Sequence, residues 1–248
     1  AGVLPILILP AFTLLVTMVQ TLGMEIADEK SSRGMEIIIS SVSPQTHFFS
    51  KIISGNLFIV TQGLLFILYG GVGILSRKIF GSVEGLIPPE IINEITKLIP
   101  QLFTTEFIII IIFAIILILL AFLLYSLIAA IAAAMTVNVE DSQQLQTPIT
   151  ILLLMGFYSA MFSWMFKGSL FIKILSYIPF ISPFLVPVLA IMNQITIVDI
   201  LISLGVLVGT IALIMYFGMG IYKTAILNYS NTKIWDRAIS IIKNRKNA

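Results

Sequence analysis

The chain has 248 residues, of which 58% are hydrophobic and only 10% charged, against roughly 45–50% and about 25% in an ordinary soluble domain. Its formal net charge of +2 is too small for a nucleic-acid binder. The lack of cysteine excludes a disulfide framework, a thiol-ligated metal or a cysteine nucleophile, and one histidine, His47, leaves no His-rich metal site and no H-E-x-x-H motif.

Backbone groups without partners are so costly in hydrocarbon that apolar runs of about 20 residues cross a bilayer as helices. A β-barrel would show short alternating segments instead, and the runs here are continuous. The expected class is therefore all-α, a polytopic membrane helical bundle. The chain opens at Ala1 inside such a run, without the charged n-region and cleavage site of a signal peptide. That reads as a fragment or processed chain from which a preceding helix is missing.

The first predicted span covers residues 3–22, with Pro5 and Pro10 inside it. The mixed segment 24–51 follows, with Glu25, Asp28, Glu29, Lys30, Arg33 and Glu36 ahead of an apolar patch, Ile37 to Ile39. A second span covers 52–75, and a polar loop with Pro88, Pro89 and Pro100 fills 77–106. Residues 107–135 form an uncharged run long enough to span even when tilted. A connection carrying Glu140 and Asp141 beside a glutamine-rich patch leads to Pro148, which fits the first turn of a span over 148–166.

Region 167–196 is apolar but broken by Pro179, Pro183 and Pro187. This spacing predicts two short helices that dip into the membrane and return, a re-entrant pair, since irregular backbone is tolerated there only under cover of protein or water. A last span covers 198–227, and the tail 228–248 is polar and basic. The count is five spans plus the re-entrant pair. If segment 24–51 and the tail are cytoplasmic, that side holds Lys30, Arg33, Lys51, Lys223, Lys233, Arg237, Lys243, Arg245 and Lys246, against Arg77, Lys78, Lys97, Lys167 and Lys173 opposite.

Segment 24–51 is the most informative. On a helix, Glu29 precedes Arg33 by four residues, the favourable order for an ion pair, and Glu36 continues the stripe. A solvated helix face would account for the charges alone, but the apolar strip, the serine-rich end and the Pro44 stop together fit a short amphipathic helix at the membrane surface. Gly205 and Gly209 form a G-x-x-x-G, which either seats a helix contact or arises by chance. Tyr158, Ser159, Ser163 and Trp164 read as path-lining residues or, more commonly, as an interfacial belt. His47 reads as a surface residue beside segment 24–51.

Glu29-Lys30, then Met35-Glu36-Ile37-Ile38-Ile39-Ser40-Ser41-Val42-Ser43-Pro44, and then Lys51 resemble the E-K, E-x-x-x-x-S-x-x-P and G-K pattern of ABC-2 type permeases, especially their NatB and YhaP-like sodium-extrusion branch. Ser50 stands where that pattern has glycine. Glu140-Asp141-Ser142-Gln143-Gln144 before Pro148, the run from Ile178 to Pro183 with Pro187, and Ile221-Tyr222-Lys223 continue the likeness.

The resemblance implies a bundle of about six spans with a cytoplasmic coupling helix, paired with a second permease and with a cytoplasmic ATP-binding cassette ATPase that carries ATP and magnesium. The chain itself would bind no cofactor and catalyse nothing. It would export an ion, drug or peptide across the cell membrane, with its coupling segment and C-terminus cytoplasmic. Its first span and an extracytoplasmic domain would be absent here. The coupling residues would be Glu25, Glu29, Lys30, Arg33, Glu36, Ser43, Pro44 and Lys51, with Glu140 and Asp141 in a cytoplasmic loop and Pro179, Pro183 and Pro187 at the re-entrant turn. The competing readings are an ion-coupled carrier without an ATPase, which should place an acid at mid-membrane, and an intramembrane enzyme, whose motifs the sequence lacks.

Overall fold

The computed structural model describes residues 4–80, 104–229, 236, 239 and 240. Among the described residues the regular structure is entirely helical. In chain order the helices are α1 (Leu4–Ser31), α2 (Gly34–Ser41), α3 (Pro44–Phe80), α4 (Thr105–Ala134), α5 (Val139–Met161), α6 (Leu170–Leu175), α7 (Ser182–Ile191) and α8 (Ile197–Ile226), with a 3₁₀ turn at Ser163–Phe166. The proline-bearing loop and most of the basic tail lie outside the described residues.

Four described helices, α1, α3, α4 and α8, are long and apolar enough to cross a membrane. α5 is long enough but carries Glu140, Asp141, Gln143, Gln144 and Gln146 in its first half. It also begins earlier than Pro148 suggests: the helix starts at Val139 and the proline lies inside it. The missing N–H frees one carbonyl a turn earlier, while the two acids in the first turn favour the positive helix end, so the polar approach is itself helical.

α4 is the central element, packing against α1, α3, α5, α7 and α8. Lipid tails compete equally for apolar side chains, so close backbone approach supplies the packing. Ala129, Ala130, Ala133 and Ala134 provide it at one end of α4, all fully buried, and Leu117, Leu124 and Tyr125 fill the wider end. Two glycines serve the same purpose. A Cβ on Gly23 of α1 would collide with the Gln146 side chain of α5, and one on Gly218 of α8 with Ile131 of α4. Gly205 and Gly209 face open space, so the G-x-x-x-G seats no contact among the described residues.

The proline-broken region forms the two expected short helices. Gly168, with φ of 71°, turns the chain before α6. Pro179 lies in the turn before α7, Pro183 in the first turn of α7 and Pro187 inside it. α7 is buried along Phe184, Leu185, Val186 and Leu189 against α4 and α5. The Tyr125 hydroxyl donates to the Phe180 carbonyl at 2.8 Å, which satisfies a turn that has no ladder of its own. Outward, Leu64, Ile67 and Leu68 of α3 with Leu213 of α8 stay exposed, an apolar exterior of the kind that hydrocarbon covers.

Candidate functional site

Polar side chains gather at the two ends of the bundle. At one end α1 continues past Leu22 to Ser31, so Glu25 and Glu29 share one face and Ile26 and Lys30 another. Arg33 adopts a left-handed conformation, φ 58°, which breaks the helix. The expected Glu29–Arg33 helical pair is therefore not formed: Glu29 turns to α3 instead, and Arg33 is exposed. In α2, Met35 is buried whereas Glu36 and Ile37 are exposed, Ile37 at 74%. Ile39 packs at the edge of the core. Val42 is extended, the Ser43 hydroxyl accepts from the Thr46 N–H at 3.2 Å, and Pro44 opens α3. Serine before a first-turn proline is a favourable helix start.

The acids of α1 meet the first turns of α3. Lys51 Nζ lies 2.7 Å from Glu29 Oε1 and 3.2 Å from Glu25 Oε2. The other Glu29 oxygen, Oε2, lies 3.1 Å from His47 Nε2, and His47 Nδ1 is 2.8 Å from the Tyr222 hydroxyl of α8. His47 and Tyr222 are buried, and Phe48 packs on the Tyr222 ring with centroids 4.6 Å apart. The chain Glu25–Lys51–Glu29–His47–Tyr222 thus fastens three helix ends together. The expectation that His47 lies at the surface is corrected: it is buried, because Glu29 and Tyr222 satisfy both ring nitrogens, and sequence spacing gives no sign of a partner 175 positions away.

Lys30 lies fully buried on the other face of α1. Its ammonium donates to the Ala134 carbonyl at 2.6 Å and to the Ala225 carbonyl at 2.7 Å. These are terminal carbonyls of α4 and α8, which lack intrahelical donors and carry the negative end of each helix dipole. One cation caps two helices. It also lies 5.5 Å from the centre of the Tyr229 ring, within cation–π range. The adjacent residues Glu29 and Lys30 therefore tie α1 to α3, α4 and α8.

At the opposite end Asp199 opens α8 and is nearly buried. Its carboxylate accepts from the Thr196 N–H at 2.9 Å in a capping box, from the Tyr177 hydroxyl, and from Lys173 at 3.0 Å. The hydrogen bond to Asp199 holds the Lys173 ammonium above its ordinary pKa. Ser203 donates to the Ser176 carbonyl at 2.9 Å, so α6 is fixed to α8. Sequence reading missed Asp199, although Thr196 three residues before it is a capping-box signal.

Along α5, Glu140 is exposed in the first turn with Asp141 beside it. Ser142 donates to the Gly23 carbonyl at 3.2 Å, and Gln146 Nε2 donates to Ser142 Oγ at 2.7 Å. Tyr158 and Trp164 project outward, Tyr158 stacked on Phe162, and the Ser163 hydroxyl is satisfied by the Ala160 carbonyl. Among the described residues no three of His, Asp and Glu are grouped to hold a metal ion.

Residues 1–221 match the family model described as ABC-2 family transporter protein. The chain is similar to the uncharacterized protein YhaP of Bacillus subtilis (strain 168), 30% identical over 232 residues, covering 90% of this chain and 51% of that protein. It thus spans about half the length of the curated relative it matches. No solved structure matches the chain.

Proposed function

Because this chain belongs to the ABC-2 family of transporter proteins, whose members are membrane subunits of ATP-binding cassette transporters, we propose that it couples ATP hydrolysis on a cytoplasmic ATPase to export. The carrying observation is the exposed face of α2 beside the polar network. Arg33, Glu36 and Ile37 are free to meet a partner, while Met35 seats α2 on the bundle. The network joins the end of α1, which leads directly into α2, to α3 and α8, and Lys30 joins it to α4. A push on α2 reaches the bundle through hydrogen-bonded groups rather than through a loose loop.

In this reading the Lys30 end is cytoplasmic, α6 and α7 form the re-entrant pair at the far side, and a second permease completes the path. ATP and magnesium belong to the partner ATPase. The cargo is an ion, drug or peptide. An ion-coupled carrier is less well supported, because the acids of the described long helices lie within about two turns of a helix end: Glu25, Asp28 and Glu29 in α1, Glu106 in α4, Glu140 and Asp141 in α5, Asp199 in α8.

The test uses the full-length protein co-purified with its ATPase and reconstituted in vesicles. Glu36→Lys reverses the charge of the exposed α2 face without touching the buried network. It is expected to leave ATP hydrolysis running while transport falls. Unchanged coupled transport, or the absence of any cassette ATPase in the purified complex, rejects the proposal.

A further inference from the structure

Between α1 and α5 runs a groove of about 470 Å³ whose polar wall is Gln20, Gln143, Gln146, Thr147 and Thr150. Gln20 precedes Lys30 by ten residues, roughly 15 Å along α1, which sets the groove inside the half of the membrane nearer the Lys30 end. Amides and hydroxyls facing hydrocarbon are costly unless something meets their hydrogen-bonding groups. Among the described residues nothing closes the groove over this wall.

The bonded groups of the wall are one-sided. Ser142 uses its proton on the Gly23 carbonyl, so its oxygen must accept from Gln146; the atom there is Nε2, which leaves Gln146 Oε1 as the acceptor. The Thr147 hydroxyl donates to the Gln143 carbonyl at 3.0 Å and the Thr150 hydroxyl to the Gln146 carbonyl at 3.2 Å. A hydroxyl has one proton, so both present only lone pairs to the groove. The groups fixed by these bonds thus present acceptors, while the Gln20 and Gln143 amides can turn either their oxygen or their N–H groups to the groove; none carries a formal charge, and Glu140 and Asp141 open α5 about one turn before Gln143. Met24, Ile151 and Leu154 form the apolar wall.

We propose, building on the transporter reading, that this groove binds an amphipathic organic amine. Its ammonium head donates to Gln146 Oε1 and to the oxygens of Thr147 and Thr150, and its apolar body lies on Met24, Ile151 and Leu154. The volume falls among small-molecule sites, which run to about 300–1,000 Å³. A bare metal ion needs oxygens converging at about 2.0–2.6 Å, and a groove this wide does not supply them. The acids at the head of α5 favour a cation approaching from that end.

The experiment titrates dansylcadaverine, a primary ammonium on an apolar tail, into the purified full-length protein and follows its fluorescence. The Thr147→Val, Thr150→Val double variant keeps the side-chain shape and is expected to weaken binding about tenfold, the order that two neutral hydrogen bonds carry. Thr210→Val, at a lipid-side threonine with the same backbone bond, should leave it unchanged. N-acetylation of the probe should weaken binding at least as much. An unchanged affinity in the double variant overturns the proposal. So does competition by sodium chloride that N-methylglucamine chloride does not match, or oxidative cross-linking of Thr147→Cys to the same residue of a second copy, since each assigns the groove another occupant. If binding depends on Thr147 and Thr150 but no ATPase drives transport, the transporter reading fails and the groove stands.

Discussion

Replacing Lys30 by methionine separates the buried cap from every other polar contact in the bundle. The variant keeps the length and apolar stem of the side chain but leaves the Ala134 carbonyl without its donor and the Ala225 carbonyl with backbone donors only, Asn228 N–H at 3.1 Å among them. Hydrogen bonds to a charged group contribute about 1.5–3 kcal/mol each, so two give roughly 3–6 kcal/mol, with a further ~1 kcal/mol from the helix dipoles. Against this, the variant no longer buries an ammonium, which relieves a desolvation cost of several kcal/mol. Because the Ala134 carbonyl is left bare among buried residues, the balance stays unfavourable, at about 2–4 kcal/mol. Unfolding by sodium dodecyl sulfate in mixed micelles, followed by helical circular dichroism, measures it. The comparison is Lys51→Met, whose lysine is 18% exposed and pairs with Glu29 and the half-exposed Glu25; partly exposed pairs contribute about 0–1 kcal/mol each. If Lys30→Met costs less than Lys51→Met, the two-helix cap is not the anchor argued above.

Other substitutions test the remaining contacts. Gly23→Val drives a side chain into Gln146 and should cost about 1–3 kcal/mol by overpacking, whereas Gly205→Ala meets open space and should be neutral or stabilising by up to about 1 kcal/mol; the same micelle assay ranks them, and equal effects refute the packing assignment. Tyr222→Phe keeps the ring on Phe48 but strips the hydroxyl from buried His47, for an expected loss of about 1–2 kcal/mol; no loss means that His47 finds another partner. Asp199→Asn removes the charge that Lys173 and Tyr177 share. It should loosen α6 specifically, seen as faster hydrogen exchange at Leu170–Leu175 with the exchange of α4 unaffected.

The long helices were legible because hydrocarbon leaves a chain little choice. The uncharged run at Phe107 to Ala134 and the last apolar helix, Ile197–Ile226, whose Asp199 and Lys223 sit near its ends, lie within a residue of the runs read at 107–135 and 198–227, and two short helices, α6 and α7, lie in the proline-broken region. Helix ends were less legible where polar residues continue a helix. The charges of Glu25 to Ser31 suggest a surface segment, yet Glu25, Glu29 and Lys30 are satisfied laterally by Lys51, His47 and terminal carbonyls. Pro148 suggested a start, but the acids before it already stabilise the first turn. Of the site, Glu25, Glu29, Lys30 and Lys51 could be singled out by pattern. Their division into two faces required the packing, and His47, Tyr222 and Asp199 enter only through contacts distant in sequence.

The two polar clusters at the ends of α8 also set a length. Asp199 and Tyr222 are 23 residues apart, about 35 Å at 1.5 Å per residue, close to the roughly 30 Å of a bilayer's hydrocarbon. Each end is hydrogen-bonded to neighbouring elements, so α8 cannot shift along its axis to suit a thinner or thicker membrane. Mismatch must then be taken up by tilting the bundle as a unit or by deforming the lipid around it, at fractions of a kcal/mol per Å. Acyl-chain length thereby becomes a variable to which this helix bundle responds as one body.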